Sequence, residues 1–214
     1  MICVSTDDLY QANNMITLNN IELAEIRMDR MVLTVQDIMR IFSQPVTCIA
    51  TCRPGALDDQ KRKEYLMAAI EAGAGYVDIE VESDNAFKSQ IVQKARKKGC
   101  KVIISFHDYE KTPSVENLTG IISLCFSEGA DIAKIACKAN SECDSARLLG
   151  LLGQDEFIGR LLVVGMGEKG RITRIVAPYL GSPFTYASLT EGKETAEGQI
   201  EKDRLEMIMR QLNG

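Results

Sequence analysis

Residues 130–136, ADIAKIA, place a lysine in the middle of a short apolar run. Its nearest neighbours, two isoleucines and two alanines, are typical of a buried strand. An amine in that setting loses its water, which is unfavourable unless other groups compensate for its charge. Lys134 is therefore either a strand lysine whose side chain extends to the surface or a functional amine inside the fold.

Similar apolar segments occur along the whole chain, and their starts lie about 20 to 30 residues apart, the length of a strand plus a crossover helix. The segments are ICVS from Ile2, ELAEIRM from Glu22, VTCIATCR from Val46, YVDIEV from Tyr76, KVIISFH from Lys101, DIAKIA from Asp131, LLVVGM from Leu161 and FTYAS from Phe184. Eight βα units in 214 residues predict a compact (β/α)8 TIM barrel made of a single domain, residues 1–214. A doubly wound open sheet is the alternative, because periodicity does not show closure.

The segments between the predicted strands carry helix signals. Thr112 followed by Pro113 predicts the start of a helix, beyond which apolar residues recur at helical spacing. A second apolar stripe over 87–95 is expected to end at Gly99, and a last amphipathic helix is expected over 205–212.

The composition excludes several classes of partner. Hydrophobic residues make up 45% of the chain and charged residues 26%, and the net charge is −5 without any basic block. Nucleic acid and acidic membrane surfaces are therefore not expected partners. The N-terminus shows neither a signal peptide nor a membrane span. The seven cysteines, odd in number and without paired metal-ligand spacing, predict reduced, mostly buried thiols in a cytosolic protein and no metal site.

Polar residues interrupt the apolar segments mainly near their C-terminal ends. These residues are Glu25, Arg27, Arg53, His107 and Lys134, and His107 is the only histidine of the chain. In a (β/α)8 barrel, the C-terminal ends of the strands and the loops that follow form the active site. Charges at strand ends can also simply face solvent, but the combination favours a functional site.

The chemistry of two of these residues suits catalysis at a carbonyl group. Burial and nearby cations disfavour the charged form of a lysine, and only the neutral amine attacks a carbonyl carbon. Lys134 is therefore a candidate Schiff-base lysine, with Arg27, Arg53 and Arg174 as expected sources of positive charge. His107 is suited to proton transfer beside an imine, with a structural histidine as the alternative.

The segment VVGMGEKGRITR, residues 163–174, allows two interpretations. Glycines after a seventh strand can bind phosphate through their amides. Arg174 can instead form a bidentate pair with a substrate carboxylate. The residues alone leave both open.

Five blocks, in order and at the expected spacing, resemble the type I 3-dehydroquinate dehydratase family. They are ELAEIRMD (22–29), SFHDY (105–109), ADIAKIA (130–136), MGEKGRITR (166–174) and AEGQI (196–200). The resemblance implies a (β/α)8 barrel, often homodimeric, that converts 3-dehydroquinate to 3-dehydroshikimate in the shikimate pathway without metal or cofactor. It assigns the imine to Lys134 and the proton transfers to His107.

The resemblance also implies the substrate-binding residues. These are Arg174 and Gln199 for the carboxylate, Glu25, Arg27 and Arg53 for the hydroxyls, and Ser5 and Thr195 at further binding positions. Met166 and Tyr186 are expected to line the pocket. Because the net negative charge repels an anionic substrate at long range, local arginines are expected to reverse the field inside the pocket.

Three departures from the family pattern are visible. In RPGALDD, residues 53–59, Leu57 replaces a carboxylate that orients the histidine, and Asp58 is a hypothetical substitute. In the lid segment TAEGQ, residues 195–199, Glu197 replaces a proline, so the lid is expected to be less preorganised. The N-terminal hairpin that caps the barrel in longer members is expected to be absent.

Two other functions fit the pattern less well. A class I aldolase uses the same fold and lysine chemistry, commonly on phosphorylated substrates. A carboxylate clamp of Arg174 and Gln199 would exclude it, whereas a backbone phosphate site near Gly165 and Gly167 would support it. A non-catalytic ligand-binding barrel is the second alternative, but it requires neither Lys134 nor a histidine.

Overall fold

The computed structural model describes residues 1–15 and 21–213 and contains one strand in each predicted apolar segment. The strands are β1 (Ile2–Thr6), β2 (Leu23–Arg27), β3 (Thr47–Thr51), β4 (Tyr76–Glu80), β5 (Lys101–Asp108), β6 (Ile132–Lys138), β7 (Leu161–Met166) and β8 (Thr185–Ser188). The helices are α1 (Leu9–Asn13), α2 (Val35–Phe42), α3 (Asp59–Ala72), α4 (Asn85–Lys98), α5 (Val115–Ser127), α6 (Glu142–Gly150), α7 (Arg171–Val176) and α8 (Lys202–Asn213). Strands and helices therefore alternate along the chain, as the spacing predicted.

The strands form one parallel sheet in the order β7-β6-β5-β4-β3-β2-β1-β8. Within the described ranges no strand ladder joins β7 to β8, and we call this gap the β7–β8 seam. Loop contacts close it: Ser182 Oγ donates to the Leu161 carbonyl at 2.9 Å, and the Gly159 amide donates to the Gly181 carbonyl at 2.8 Å. The sheet is thus a nearly closed (β/α)8 barrel, and the open-sheet alternative is wrong.

The helix boundaries follow their capping residues, with one correction. Gly99 ends α4 in the left-handed conformation (φ 69°), as predicted. The cap of α5 is Ser114 rather than Thr112, because Ser114 Oγ accepts from the Asn117 amide. Thr112 instead donates its hydroxyl proton to the Lys138 carbonyl at 2.8 Å and ties this loop to the end of β6. Among the helices of residues 1–15 and 21–213, none has both the length and the apolarity needed to cross a membrane.

Side-chain alternation on β6 places Lys134 inside the barrel. Ala133 and Ile135 pack in the layer between strands and helices, whereas Ile132 and Ala136 pack in the barrel interior. Residues two apart on a strand share a face, so Lys134 points into the interior with Ile132 and Ala136. Only 5% of its surface is exposed, which excludes the surface-lysine interpretation.

The cysteines are free thiols, and all except Cys143 are buried, as predicted. Burial raises the pKa of Cys48, Cys100 and Cys137 to about 12. Such thiols stay protonated near neutral pH and act as small apolar core residues.

Candidate active site

A cavity of about 240 Å³ opens at the C-terminal ends of the strands. The residues predicted for the site line it, apart from Ser5: Glu25, Arg27, Arg53, His107, Lys134, Arg174, Thr195 and Gln199. Met166 and Tyr186 line it as well. Ser5 lies directly behind the wall, where its Oγ accepts from Thr195 Oγ1 at 2.8 Å. The fold thus brings side chains from distant parts of the sequence to one pocket.

The Lys134 amine is surrounded by carboxylates, not by the predicted arginines. Its Nζ lies 3.0 Å from Asp78 Oδ2 and 3.8 Å from Glu25 Oε1, and 4.4 Å from the centre of the Tyr186 ring. Arg27, Arg53 and Arg174, the predicted sources of positive charge, line the same cavity, but the contact of these carboxylates with the amine was not predicted from the sequence. The physical reason is compensation, because a buried ammonium persists only when opposite charges and hydrogen bonds replace its water.

Asp78 joins this lysine to Arg53. It accepts from Arg53 Nη1 at 2.9 Å and Nη2 at 2.7 Å, and from Ser105 Oγ at 2.6 Å. Burial alone would raise the pKa of Asp78, but the charges of Arg53 and Lys134 outweigh it and hold the pKa well below its usual range. Asp78 is therefore a permanent anion beneath the lysine.

His107 is hydrogen-bonded to a carboxylate from β4. Its Nδ1 lies 3.0 Å from Glu80 Oε2, and its ring stacks on Tyr109 with centroids 5.9 Å apart. Burial lowers the pKa of His107, the charge of Arg53 lowers it further, and Glu80 opposes both. The net direction is downward, so the imidazole is neutral at neutral pH.

The hypothesis that Asp58 takes over the family's orienting carboxylate is wrong. The Asp58 side chain is the N-cap of α3 and accepts from the Lys61 amide at 2.7 Å. Leu57 packs against the outer apolar layer. Sequence reasoning missed Asp78 and Glu80, although two carboxylates two residues apart at the end of one strand were a visible signal.

Glu25 anchors a chain of hydroxyl groups that reaches the lid. Its Oε2 accepts from Ser5 Oγ at 2.5 Å and its Oε1 from Thr51 Oγ1 at 3.0 Å. Thr195 bonds to Ser5, and the Thr195 amide donates to Gln199 Oε1 at 2.8 Å. The interior strands and the lid therefore share one hydrogen-bond network.

Glu197, the residue of segment 195–199 that was expected to make the lid less preorganised, forms contacts through both its side chain and its main chain. Its carboxylate accepts from Lys138 Nζ at 2.5 Å, and its carbonyl accepts from the Gly167 amide at 3.3 Å. The next residue, Gly198 (φ 80°), lies so close to Gly167 that a Cβ there would be 2.5 Å from the Gly167 carbonyl oxygen. The ion pair is exposed, so its own contribution to stability is small, about 1 kcal/mol at most.

Arg174 is a buried cation that has no carboxylate partner among the described residues. It is 1% exposed, its Nη1 and Nη2 donate to the carbonyls of Tyr186 and Glu197 at 3.4 and 3.2 Å, and its Nε has no partner among the described residues. Burial, helped by Arg171, lowers the pKa of Arg174 to about 10. The cations Arg27, Arg30, Arg53, Lys134 and Lys138, which also line the cavity, each pair with a carboxylate. Within the described part of the chain, Arg174 has no such pair. An anionic ligand would stabilise this buried charge, so we expect one to bind here.

We expect the free energy of unfolding to fall as the pH drops below 4.5, because of the buried carboxylates of the site. Burial raises the pKa of Glu80, but Arg53 and then His107 outweigh it and lower the pKa from 4.5 to about 2. The stabilisation is thus present above pH 4.5 and is lost as the pH falls toward 2. It amounts to about 3 kcal/mol for Glu80. Urea unfolding at several pH values measures this contribution. In Glu80→Gln the free energy of unfolding should depend less on pH over this range, whereas Glu82→Gln should keep the wild-type dependence. An equal slope in Glu80→Gln and wild type would contradict the assignment.

The fold and the site together define a (β/α)8-barrel enzyme with an ion-paired lysine at its centre. The model of the type I 3-dehydroquinase family matches residues 1–214. A 3-dehydroquinate dehydratase of Methanocaldococcus jannaschii is 36% identical over 204 residues, which cover 90% of this chain and 88% of that protein. One of Methanococcus maripaludis is 33% identical in an alignment 218 positions long that covers 98% of each protein.

Solved structures agree with the sequence comparisons. The 3-dehydroquinate dehydratase from Aquifex aeolicus superposes with a TM-score of 0.82 at 28% identity and covers 99% of this chain and 98% of its own. The type I enzyme from Clostridium difficile, solved with covalently modified comenic acid, has the same fold, with a TM-score of 0.85 at 22% identity over 99% of this chain and 91% of its own. The chain therefore belongs to the type I 3-dehydroquinase family, a family of carbon–oxygen lyases.

Proposed function

We propose that this protein dehydrates 3-dehydroquinate to 3-dehydroshikimate in the shikimate pathway, through an imine on Lys134 and with His107 as general base and acid. The observation that carries the proposal is the shared cavity of Lys134, a neutral His107 and the unpaired cation Arg174. The substrate has a ketone for the amine and a carboxylate for the guanidinium.

Arg174 binds the substrate carboxylate. Bringing an anion to this buried guanidinium supplies the counter-ion that the fold leaves out, and charge-assisted bonds of this kind are among the strongest in proteins. Gln199, which is 6% exposed, lines the same cavity and is proposed to bind the carboxylate together with Arg174.

The aldolase alternative is disfavoured by the same region. A phosphate site after β7 needs free main-chain amides. The Gly165 amide already donates to Thr173 Oγ1 at 2.8 Å, and the Gly167 amide donates to the Glu197 carbonyl. A carboxylate at Arg174 agrees with these contacts better than a phosphate does.

Imine formation uses the lysine environment. After proton loss, the Lys134 amine attacks the ketone carbon, water leaves, and an iminium cation forms. That cation occupies the place of the former ammonium, so Asp78 and the face of the Tyr186 ring continue to compensate for its charge. Little electrostatic reorganisation is required, which is how preorganised sites lower barriers.

His107 then moves the proton. Its neutral imidazole takes a proton from the carbon next to the iminium carbon, and the electron pair delocalises onto nitrogen as an enamine. The resulting imidazolium protonates the departing hydroxyl, which leaves as water, and hydrolysis of the remaining iminium releases the product. In this proposal Glu25, Arg27, Arg53, Ser5 and Thr195 bind and orient the substrate hydroxyls, directly or through each other.

The proposal includes the cellular setting. Free and mostly buried thiols support a reducing compartment, the cytosol. A single domain is proposed from the regular spacing of the βα units, and a homodimer from the family resemblance alone.

Borohydride trapping tests the proposed function. The protein is incubated with 3-dehydroquinate and borohydride, the adduct is located by mass spectrometry, and the conjugated enone product is followed by ultraviolet absorbance. We expect enone formation and an adduct on Lys134, with the cavity lysine Lys138 unmodified as the internal control. An adduct on Lys138 or no enone from a folded sample rejects the proposal, and carbon–carbon cleavage products would indicate an aldolase.

A further inference from the structure

We propose that Glu80 is the positioning residue for His107 in this chain: it holds the imidazole with Nδ1–H turned to the strand and Nε2 turned to the substrate. This inference rests on the proposed function. No other described side chain forms a hydrogen bond to His107, and Leu57 and Asp58 are engaged elsewhere.

The Glu80 carboxylate is itself held in place. Its Oε2 faces His107 Nδ1 at 3.0 Å while its Oε1 lies 2.9 Å from Arg53 Nη1. Arg53 is fixed in turn by two bonds to Asp78 and by Ser105 Oγ at 2.7 Å. Rotation of the carboxylate away from the imidazole would disrupt the ion pair with Arg53, so the geometry is preorganised.

The strand register builds this arrangement. Glu80 on β4 pairs with Ser105 on β5, and Ser105 pairs with Lys134 on β6. His107 lies two residues beyond Ser105 and therefore shares its inward face. Glu80 and Lys134 are thus in register with Ser105, and His107 occupies the next inward position along β5, in register with Ala136. Hydrogen-bonded strands fix all three positions. A carboxylate at residue 57 would lie on the loop between β3 and α3, which is a less rigid support.

Glu80 does not reach the substrate cavity. It lines a second cavity of about 380 Å³ behind the histidine, together with Glu82 and Ser83. His107 and Arg53 line both cavities, so the imidazole forms part of the wall between them. Glu80 therefore acts through His107 and not on the reacting atoms.

Two consequences for the chemistry follow from the charge of Glu80. Because its pKa is about 2, the carboxylate is ionised and only accepts hydrogen bonds, so the neutral imidazole must carry its proton on Nδ1. The lone pair on Nε2 is then available to the substrate. When Nε2 takes a proton, the adjacent anion stabilises the imidazolium and offsets the effects of burial and Arg53.

The kinetic test compares Glu80→Gln with Glu82→Gln, which changes a carboxylate of the same second cavity without contact to the histidine. We expect Glu80→Gln to lower kcat about 100-fold, the lower end of the acid–base contribution, with KM changed less than about 3-fold. The acidic limb of the kcat/KM profile should move to lower pH by about one unit. Glu80→Asp should recover part of kcat, and Glu82→Gln should match wild type. Wild-type kcat and pH profile in a folded Glu80→Gln variant would overturn the inference.

A second readout separates this inference from the proposed function. Borohydride trapping on Lys134 should remain at the wild-type yield in Glu80→Gln, because the lysine keeps Asp78. Since the chain has one histidine, its imidazole nitrogen resonances in NMR are assigned without ambiguity. We expect wild-type His107 protonated on Nδ1, with a pKa that falls in Glu80→Gln. Protonation on Nε2 in the wild type overturns the positioning role even if the enone forms, whereas an inactive wild type with the expected NMR result overturns only the proposed function.

Discussion

Turnover in Lys134→Ala should fall by about 10⁵-fold or more, close to the background rate, since enzymes commonly supply at least about 10⁶-fold acceleration. The reason is chemical, because without the amine no imine forms and the proton next to the ketone keeps its ordinary acidity. Ultraviolet absorbance of the enone measures the rate, and mass spectrometry after borohydride checks for the adduct. A Lys134→Ala protein that still forms enone at more than trace rates, or an adduct at another lysine, would contradict the role of Lys134.

The same substitution should also destabilise the fold. It leaves Asp78 and Glu25 short of a cation in a buried cluster, and removing one partner of a buried ion pair costs about 3–5 kcal/mol. Urea denaturation measures the loss. Lys138→Ala is the matched control, because its partner Glu197 is exposed and the pair contributes about 1 kcal/mol at most. Adding Asp78→Asn to Lys134→Ala should recover part of the stability, and equal losses in the two single variants would contradict this account.

Replacement of Arg174 by methionine should weaken substrate binding without lowering the stability of the fold. KM should rise about 100-fold, because the charge-assisted bonds to the substrate carboxylate contribute about 3 kcal/mol. The thermal midpoint should not fall, because burial already opposes the charge of Arg174 and lowers its pKa to about 10. Removing that charge offsets the loss of its two bonds to carbonyl groups.

Steady-state kinetics and thermal unfolding with and without 3-dehydroshikimate check this prediction. The product should raise the thermal midpoint of the wild type but not of Arg174→Met, since a ligand stabilises only the state that binds it. A wild-type KM in Arg174→Met would contradict the proposed binding of the substrate carboxylate. A thermal midpoint many degrees lower would show that Arg174 stabilises the fold.

The fold was predictable because the signals were local and repeated. Each strand overlaps one predicted apolar segment, and in several of them a polar residue near the C-terminal end marked the face that points inward. The start of α5 was misplaced because the Thr112 hydroxyl bonds to a carbonyl at the end of β6, a contact between distant segments that a helix-start pattern does not reveal.

The electrostatics of the site were less predictable. The carboxylate partners of Lys134 on β6 come from β2 and β4, strands that are not its neighbours in the sheet, so these contacts depend on the curvature of the barrel. Those of His107 and Arg53 come from β4 and depend on the order of the strands, which the sequence does not show. The two carboxylates of YVDIEV were treated as part of an apolar strand, although they are the partners of Lys134, Arg53 and His107. Arg174 was predictable as an anion-binding residue, but its lack of a counter-ion follows only from the packed structure.

The β7–β8 seam has a consequence for how this enzyme can evolve. Ladders of main-chain hydrogen bonds join the other neighbouring strands and tolerate most substitutions. The described contacts across the seam are fewer, and one of them, from Ser182 to Leu161, depends on the identity of a side chain. Arg174 bonds to the backbone of β8 beside this seam. If Arg174 binds the substrate carboxylate as proposed, the wall that recognises this acid group lies beside the seam. A point mutation there can change the width of this wall while the strand ladders stay intact, so selection for a different acid can act there first.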